Sequence, residues 1–411
     1  MLAYPAFVRL WLADTVSWFG IYTSGLALQF LLIETMDADQ TALGIVRAAQ
    51  WLPALVFGML AGTLIDRVRR RPVLIASDAA SAVLLALVAG LALAGGLTIA
   101  MLAVLVFGVG TASIFFNAAH QSFLPRLVPT RLLPVANARV EQTRTAAAAI
   151  GPLAAGALVT FLSAPVALLV NATTHAVSAA LLCTVRVREA SPPPRPDRHL
   201  WRELGEGARW VYGHRTLAPY AISLHTWFFF NSAIMTVLVY FAATELRLDP
   251  LTIGLVLACA GVTGVAGAGL APRAADRLGL GVVCVVADWL TPVAFVLVLL
   301  ARPGAAAAVL LVLAQLVYGL GLGLKGPLDM SYRNAVTPDR LRARMNATIR
   351  SFNWGSIAVS APLAGWSAAT WGNRPVIAIG IVGLVLAAAL LTVSPFRTVT
   401  MPAVDVDAVP G

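Results

Sequence analysis

Gly62-Thr63-Leu64-Ile65-Asp66-Arg67-Val68-Arg69-Arg70-Arg71 is the stretch on which the reading of this chain turns. An apolar run over 42–64 ends there, one aspartate and four arginines follow within 66–71, and a second apolar run begins at Val73. A helix crosses the roughly 30 Å hydrocarbon core of a bilayer with about 20 apolar residues. It can reach water, turn and re-enter only where its backbone is satisfied. A dense charge cluster between two apolar blocks is therefore a loop between two membrane helices. Composition extends this to the whole chain. Of 411 residues, 59% are hydrophobic and 12% charged, against roughly 45–50% and about 25% in soluble domains. An ordinary soluble enzyme is excluded. Cys183, Cys259 and Cys284 all lie in apolar runs, too few and too scattered for a disulfide framework or a thiolate metal site.

Outward from that loop, twelve apolar blocks are predicted as spans, near 8–33, 42–64, 72–94, 97–118, 135–161, 164–185, 217–242, 251–271, 280–301, 305–327, 341–368 and 374–394. The first lacks a basic n-region and a small-residue cleavage site, so it is expected to be retained. The net charge of +10 would suggest nucleic acid in a soluble protein. Here, 22 of the 29 basic residues fall on one side of the predicted membrane if both termini share that side. Arg247, Arg302 and Arg374 fall on the other, and Arg47, Arg144, Lys325 and Arg350 fall within spans. Basic residues stay cytoplasmic. The expectation is a multi-pass protein of the cell (inner) membrane with both termini cytoplasmic. Its partner is the lipid bilayer and not nucleic acid.

The longest polar segment divides the spans six and six. It contains Ser191-Pro192-Pro193-Pro194-Arg195-Pro196 and then a basic amphipathic stretch with Trp201, Leu204, Ala208 and Val211 on one face, expected to lie at the cytoplasmic interface. The organisation read from this is a six-helix half over 1–185, a linker with an amphipathic helix over 186–216, a second half over 217–395 and a tail over 396–411. The halves echo each other. Asp66 with Arg67 and then Asp78 recur 210 residues later as Asp276 with Arg277 and then Asp288. Pro129, Arg131, Leu132, Asn137 and Ala138 recur at an offset of 209 as Pro338, Arg340, Leu341, Asn346 and Ala347. Parallel repeats with a substrate path between them are the build of alternating-access transporters.

Over nearly its whole length the sequence resembles the major facilitator superfamily. The stretch Gly62–Arg71 is similar to that superfamily's loop motif between helices 2 and 3. A glycine there permits close helix packing, and an aspartate sits at a helix end among cytoplasmic arginines. The resemblance implies an all-α polytopic fold of twelve transmembrane helices in two six-helix halves. It also implies a cytoplasmic latch carried by Gly62, Asp66, Arg67 and Arg71, with Asp276 and Arg277 in the second half. Gly151-Pro152-Leu153-Ala154-Ala155-Gly156 resembles the Gly-Pro motif of superfamily exporters, in which Pro152 frees a backbone carbonyl and Gly151 and Gly156 allow close approach. Phe7–Leu12 and Leu124–Pro129 resemble the twelve-helix branch that holds macrolide-efflux proteins and the enterobactin exporter.

Charges and polar groups inside spans are the functional candidates. Asp14 in span 1 is either a structural hydrogen bond or a proton-coupling site. Glu141 and Arg144, three apart in span 5, share a helix face and can pair with each other; alternatively Glu141 takes the proton and Arg144 tunes it. Lys325 and Asp329, four apart in span 10, read as a pair near the cytoplasmic end, with Lys325 snorkelling to the interface. Arg47 is expected to reach outward. Trp18, Tyr22, Phe116, His225, Asn231, Arg350, Asn353 and Trp354 are the substrate-cavity candidates, since an apolar pocket with a few polar anchors suits amphipathic organic molecules; packing alone would also explain most of the aromatics. His175 reads as a packed helix contact. No phosphate-binding Gly-x-x-x-x-Gly-Lys-Ser/Thr loop, His-Glu-x-x-His or Gly-x-Ser-x-Gly arrangement is present, so neither ATP-driven pumping nor hydrolysis is expected. The chain is read as no enzyme, with no cofactor and no metal. It is read as a monomeric exporter of amphipathic small molecules (drug, antibiotic or siderophore) working in exchange for protons. An uptake carrier or uncoupled facilitator, and a non-transporting receptor or scaffold, are the alternatives.

Overall fold

The computed structural model describes residues 4–65, 67–187, 189 and 200–401. Among them there is no strand; thirteen α-helices carry the fold. The first six are α1 (Pro5–Phe30), α2 (Gln40–Ile65), α3 (Arg70–Leu93), α4 (Ile99–Phe123), α5 (Leu133–Phe161) and α6 (Ala164–Thr184). A shorter α7 (Leu200–Gly213) follows. The last six are α8 (Leu217–Tyr240), α9 (Pro250–Leu278), α10 (Leu280–Leu300), α11 (Ala306–Val336), α12 (Asp339–Trp371) and α13 (Asn373–Val393). Eleven helices are long and apolar enough to cross a membrane. The expected span 341–368 coincides with α12, which is 33 residues long but is not among the eleven. Its first part carries Asp339, Arg340, Arg342, Arg344 and Arg350, and the charge-free remainder is diluted by Asn353, Gly355, Ser356, Ser360, Gly365 and Ser367.

The repeat read from charges extends to the backbone. α1 and α8 each run on into a five-residue π-helical turn, Leu31–Thr35 and Phe241–Glu245, 210 residues apart. Each turn is closed by the same hydrogen bond, Met36 N to Leu31 O at 3.0 Å and Leu246 N to Phe241 O at 3.1 Å. Each is followed by a non-glycine residue in the left-handed region, Asp37 at φ 46° and Arg247 at φ 58°. Asp39 then accepts from Ala42 N, and Asp249 from Thr252 N, at the start of the next helix. Over 31–39 and 241–249 only the aspartate is shared, so the corner repeats in backbone rather than in sequence.

The Asp249 cap carries a prediction. Its two hydrogen bonds from Thr252 hold the carboxyl below its usual value. Its stabilisation is therefore present above the carboxyl's unfolded-state value and is lost as pH falls through the lower folded one. Asp249→Ala is expected to cost about 1 kcal/mol at neutral pH. Thermal unfolding of the purified chain should show that penalty shrinking in acid, where the wild type loses the same cap.

Between the two sets of six, α2 packs on α12 and α5 on α9. Glycines set the distance. A Cβ on Gly44 would stand 2.5 Å from the Ala361 carbonyl oxygen, and one on Gly365 would overlap the Gln40 carbonyl. Likewise Gly156 lies against the Pro250 carbonyl, Gly254 against that of Pro152 and Gly261 against Ala149. These approaches use the beginnings of α2 and α9 and the later parts of α5 and α12. They therefore lie at the end of the molecule that carries the two π-helical corners. Within the last six helices, Gly267 and Gly323 bring α9 and α11 together in the same manner.

The linker helix α7 docks on α8 and α12. Val211 is fully buried beside Leu217 and Tyr220, Glu206 pairs with Arg344, and Trp210 Nε1 donates to Thr337 Oγ1 at 3.2 Å. The side chains of Trp201 and Leu204 lie outside the described residues.

Candidate functional site

Inside the first six helices, two aspartates meet two histidines. Asp14 stands nine residues into α1, about 13 Å along its axis, and is 1% exposed. Its Oδ2 lies 2.6 Å from His120 Nε2 on α4, and its Oδ1 has no hydrogen-bond partner. The His120 ring stacks on Phe116 with centroids 6.1 Å apart. Asp78 on α3 is held by His175 on α6 at 2.8 Å and by Ser178 Oγ at 2.5 Å. Ser17, one turn after Asp14, reaches 3.5 Å from the same His175 Nδ1. Asp14, Asp78 and His175 line one enclosed space of about 20 Å³, together with Ser17, Trp18 and Phe116. That is room for one water-sized group among polar partners.

A bare carboxylate at such depth is costly, and each acid here is matched to an imidazole that can share a proton. His175 is thus more than a packed contact: it binds the buried acid of α3. His120 was missed because the fourth apolar block seemed to end at 118, whereas α4 runs to Phe123 and carries His120 inside the bundle. An imidazole in the last turn of an apolar block was the available signal.

Glu141 and Arg144 do pair, as their spacing predicts, and Arg144 Nη1 also donates to Tyr22 Oη at 3.1 Å. Their side chains are 59% and 40% exposed. The link to Tyr22 runs beside Gly151, whose missing Cβ lets α5 approach the Tyr22 backbone. Gly151, Pro152 and Gly156 therefore form the α5 surface that meets α1 and α9.

A central cavity of about 290 Å³ opens between the two sets of helices. Tyr22, Gln29, Arg47, Gln50, Trp51 and Leu257 are among its walls. Arg47 does not reach outward as expected: it lines this cavity, and its Nη1 donates to the Met235 carbonyl on α8 at 3.4 Å. Trp51 faces Trp354 with ring centroids 6.1 Å apart, and the Arg350 guanidinium lies 5.3 Å from the Trp354 ring. Trp18 and Tyr22 stand 6.1 Å apart on α1. His225 Nδ1 lies 2.7 Å from Asn353 Oδ1, and its Nε2 lies 2.9 Å from Tyr212 Oη on α7. Asn231 Oδ1 is buried without a partner.

In the last six helices the expected Lys325–Asp329 pairing gives way to another. Lys325 is buried and does not snorkel; its Nζ stands 2.5 Å from Asp288 Oδ1 on α10. Asp329 instead accepts from Tyr220 Oη and pairs with Arg333 at 3.5 Å. Helical spacing made Lys325 and Asp329 neighbours, but the interior face of α11 turns toward α10. A second cavity of about 180 Å³ lies beside this pair, walled by Trp227, Phe228 and Thr291 among others.

The latch residues that the structure describes stand apart from one another. Arg71 is used within the first six helices, donating from Nε to the Leu182 carbonyl and from Nη2 to that of Cys183. Arg67, Asp276 and Arg277 are exposed, and among the described residues no ion pair joins them across the two sets. Asp66 and the surroundings of Gly62 lie outside the described residues.

Residues 10–360 match the family model described as Major Facilitator Superfamily. No curated protein matches the sequence. Among solved structures, the chain is similar to the nucleoside transporter NupG, with TM-score 0.78 and 14% identity, covering 94% of this chain and 98% of that one. It is also similar to a bacterial homologue of the iron transporter ferroportin in an inward-facing state, with TM-score 0.72, 16% identity and coverage of 96% and 99%. A POT family transporter in complex with a thioalcohol-conjugated peptide gives TM-score 0.75 and 14% identity, with 96% of each chain covered.

Proposed function

Because the chain belongs to the major facilitator superfamily of membrane transporters, we propose that it is a secondary exporter of amphipathic small molecules, driven by protons. Two six-helix halves, 1–185 and 217–395, rock about the central cavity. The glycine contacts of α2 with α12 and of α5 with α9 close one end, and the arginine–acid latch around Asp66 and Asp276 closes the other in the opposite state. With both termini cytoplasmic in the cell membrane, the end closed by the glycine contacts is the outer one.

The observation that carries proton coupling is the half-satisfied carboxylate of Asp14, paired with His120 and walled into the space shared with Asp78. A proton gained or lost by this pair changes the strength of the link between α1 and α4, which biases the two-state equilibrium of the halves. The exposed, self-neutralised Glu141 is less suited, because its charge is already matched by Arg144 in water's reach.

The test is drug accumulation in everted vesicles with and without a protonophore. Asp14→Asn is expected to lower proton-driven flux by at least about tenfold while substrate exchange without a gradient survives; Glu141→Gln is expected to retain driven flux. Driven flux intact in Asp14→Asn would remove Asp14 from the coupling step. Flux indifferent to the protonophore in the wild type would make the protein a facilitator.

A further inference from the structure

The central cavity contains a cation, Arg47, that no acid among the described residues neutralises. Arg47 stands on the seventh position after the start of α2, and the guanidinium carries five N–H donors with no acceptor of its own. One nitrogen donates to the Met235 carbonyl at 3.4 Å, a weak contact by distance; Nε is buried without any partner. Among the described residues no carboxylate pairs with Arg47, and no acid is among the walls of the cavity it faces. The buried acids described above each have a nitrogen-bearing neighbour: His120 for Asp14, His175 for Asp78 and Lys325 for Asp288. The remaining polar walls, Tyr22, Gln29, Gln50 and Thr236, are neutral, and Leu26, Trp51 and Leu257 supply an apolar body.

A half-buried guanidinium with its Nε unmet beside an apolar cavity is a receptor for an anion, and its planar fork favours a carboxylate, sulfonate or phosphate. Resting on the exporter reading above, we propose that the central site takes amphipathic organic anions, the acidic group seated on Arg47 and the apolar body against Leu26, Trp51 and Leu257. The volume of about 290 Å³ sets the size of the smallest members of that class, at the lower end of ordinary ligand pockets. Seating the anion also has a mechanical effect. Arg47 belongs to the first six helices and Met235 to the last six, so a bound anion competes for the donor that bridges them. Occupancy thereby loosens the closed end.

Three ligands of one shape test this: 1-naphthoate, 1-naphthamide and 1-naphthylmethylammonium, titrated calorimetrically into the purified full chain. Naphthoate is expected to bind at least about tenfold more tightly than the other two. Arg47→Gln should erase that preference, and Arg47→Lys, which keeps the charge but not the fork, should retain part of it. Equal or tighter binding of the amide or the ammonium overturns the proposal, as does a naphthoate preference that survives in Arg47→Gln. If Arg47→Gln fails to fold, the wild-type order and the Arg47→Lys loss decide alone. Counterflow in proteoliposomes separates the two readings. Naphthoate that binds by this pattern but never exchanges overturns transport and leaves the anion site standing. Exchange of the ammonium without naphthoate overturns the anion site and leaves transport standing.

Discussion

Lys325→Met is expected to destabilise the protein by about 3–5 kcal/mol, the cost of removing one partner of a buried ion pair. The Lys325 and Asp288 side chains are 10% and 2% exposed, and Nζ lies 2.5 Å from Oδ1. Asp288 Oδ2 already lacks a partner, so the substitution leaves the whole carboxyl unsatisfied in the α10–α11 interface. No neighbour stands ready to replace the ammonium. Asp329 is an acid itself, committed to Tyr220 and Arg333, and the Tyr220 ring lies 5.5 Å from Nζ. Native stabilities are typically about 5–15 kcal/mol, so the single variant forfeits a large share. The double variant Lys325→Met with Asp288→Leu removes both charges and is expected to recover most of the loss. Thermal unfolding of purified wild type, single and double variants measures all three. A single variant as stable as the wild type would show that the pair does not hold α10 to α11.

The second large effect is on movement. A Cβ on Gly254 of α9 would overlap the Pro152 carbonyl oxygen and stand 3.1 Å from Gly156 Cα. Gly254→Val puts a branched side chain against backbone on both sides, and backbone cannot swing away as a flexible side chain can. Overpacking costs about 1–3 kcal/mol, charged here to one conformation only, because the contact joins the two sets of helices. A bias of that size moves a two-state equilibrium by roughly five- to a hundredfold. The expected result is a folded protein, α9 still packed on α11, whose α5–α9 end stays apart and whose transport falls in the same proportion. Spin labels at Ala38 and Thr370, in a background lacking the three cysteines, should report a longer separation. Gly90→Val, at a position with open space around its Cβ, is the control that should change neither reading.

The fold was legible because span detection is local. Apolar blocks, charge clusters and the Asp78/Asp288 echo are properties of a few consecutive residues. α12 shows the boundary of that logic: its length and polarity are both visible, but what shelters its arginines is tertiary, with Arg344 paired to Glu206 of α7. The site was less legible for the same reason. His120 meets Asp14 across 106 residues and His175 meets Asp78 across 97, and spacing along one helix cannot announce such partners. The i,i+4 rule paired Lys325 with Asp329, correct for an isolated helix and wrong inside a bundle. Arg47 was misjudged because sequence gives distance along α2, not the face that α2 turns toward α8. Glu141 and Arg144, which pair within one helix, were read correctly.

The buried acids of the two repeats were one inheritance answered in two ways. Asp78 and Asp288 occupy equivalent places, yet the first drew histidine and serine partners from α6 and the second a lysine from α11. Places that correspond in the backbone therefore carry unlike chemistry: a ring and a hydroxyl face the acid of the first repeat, a flexible amine that of the second. The two halves are twins in shape and strangers in cargo, so a side chain moved from one to the same place in the other would arrive without its partner.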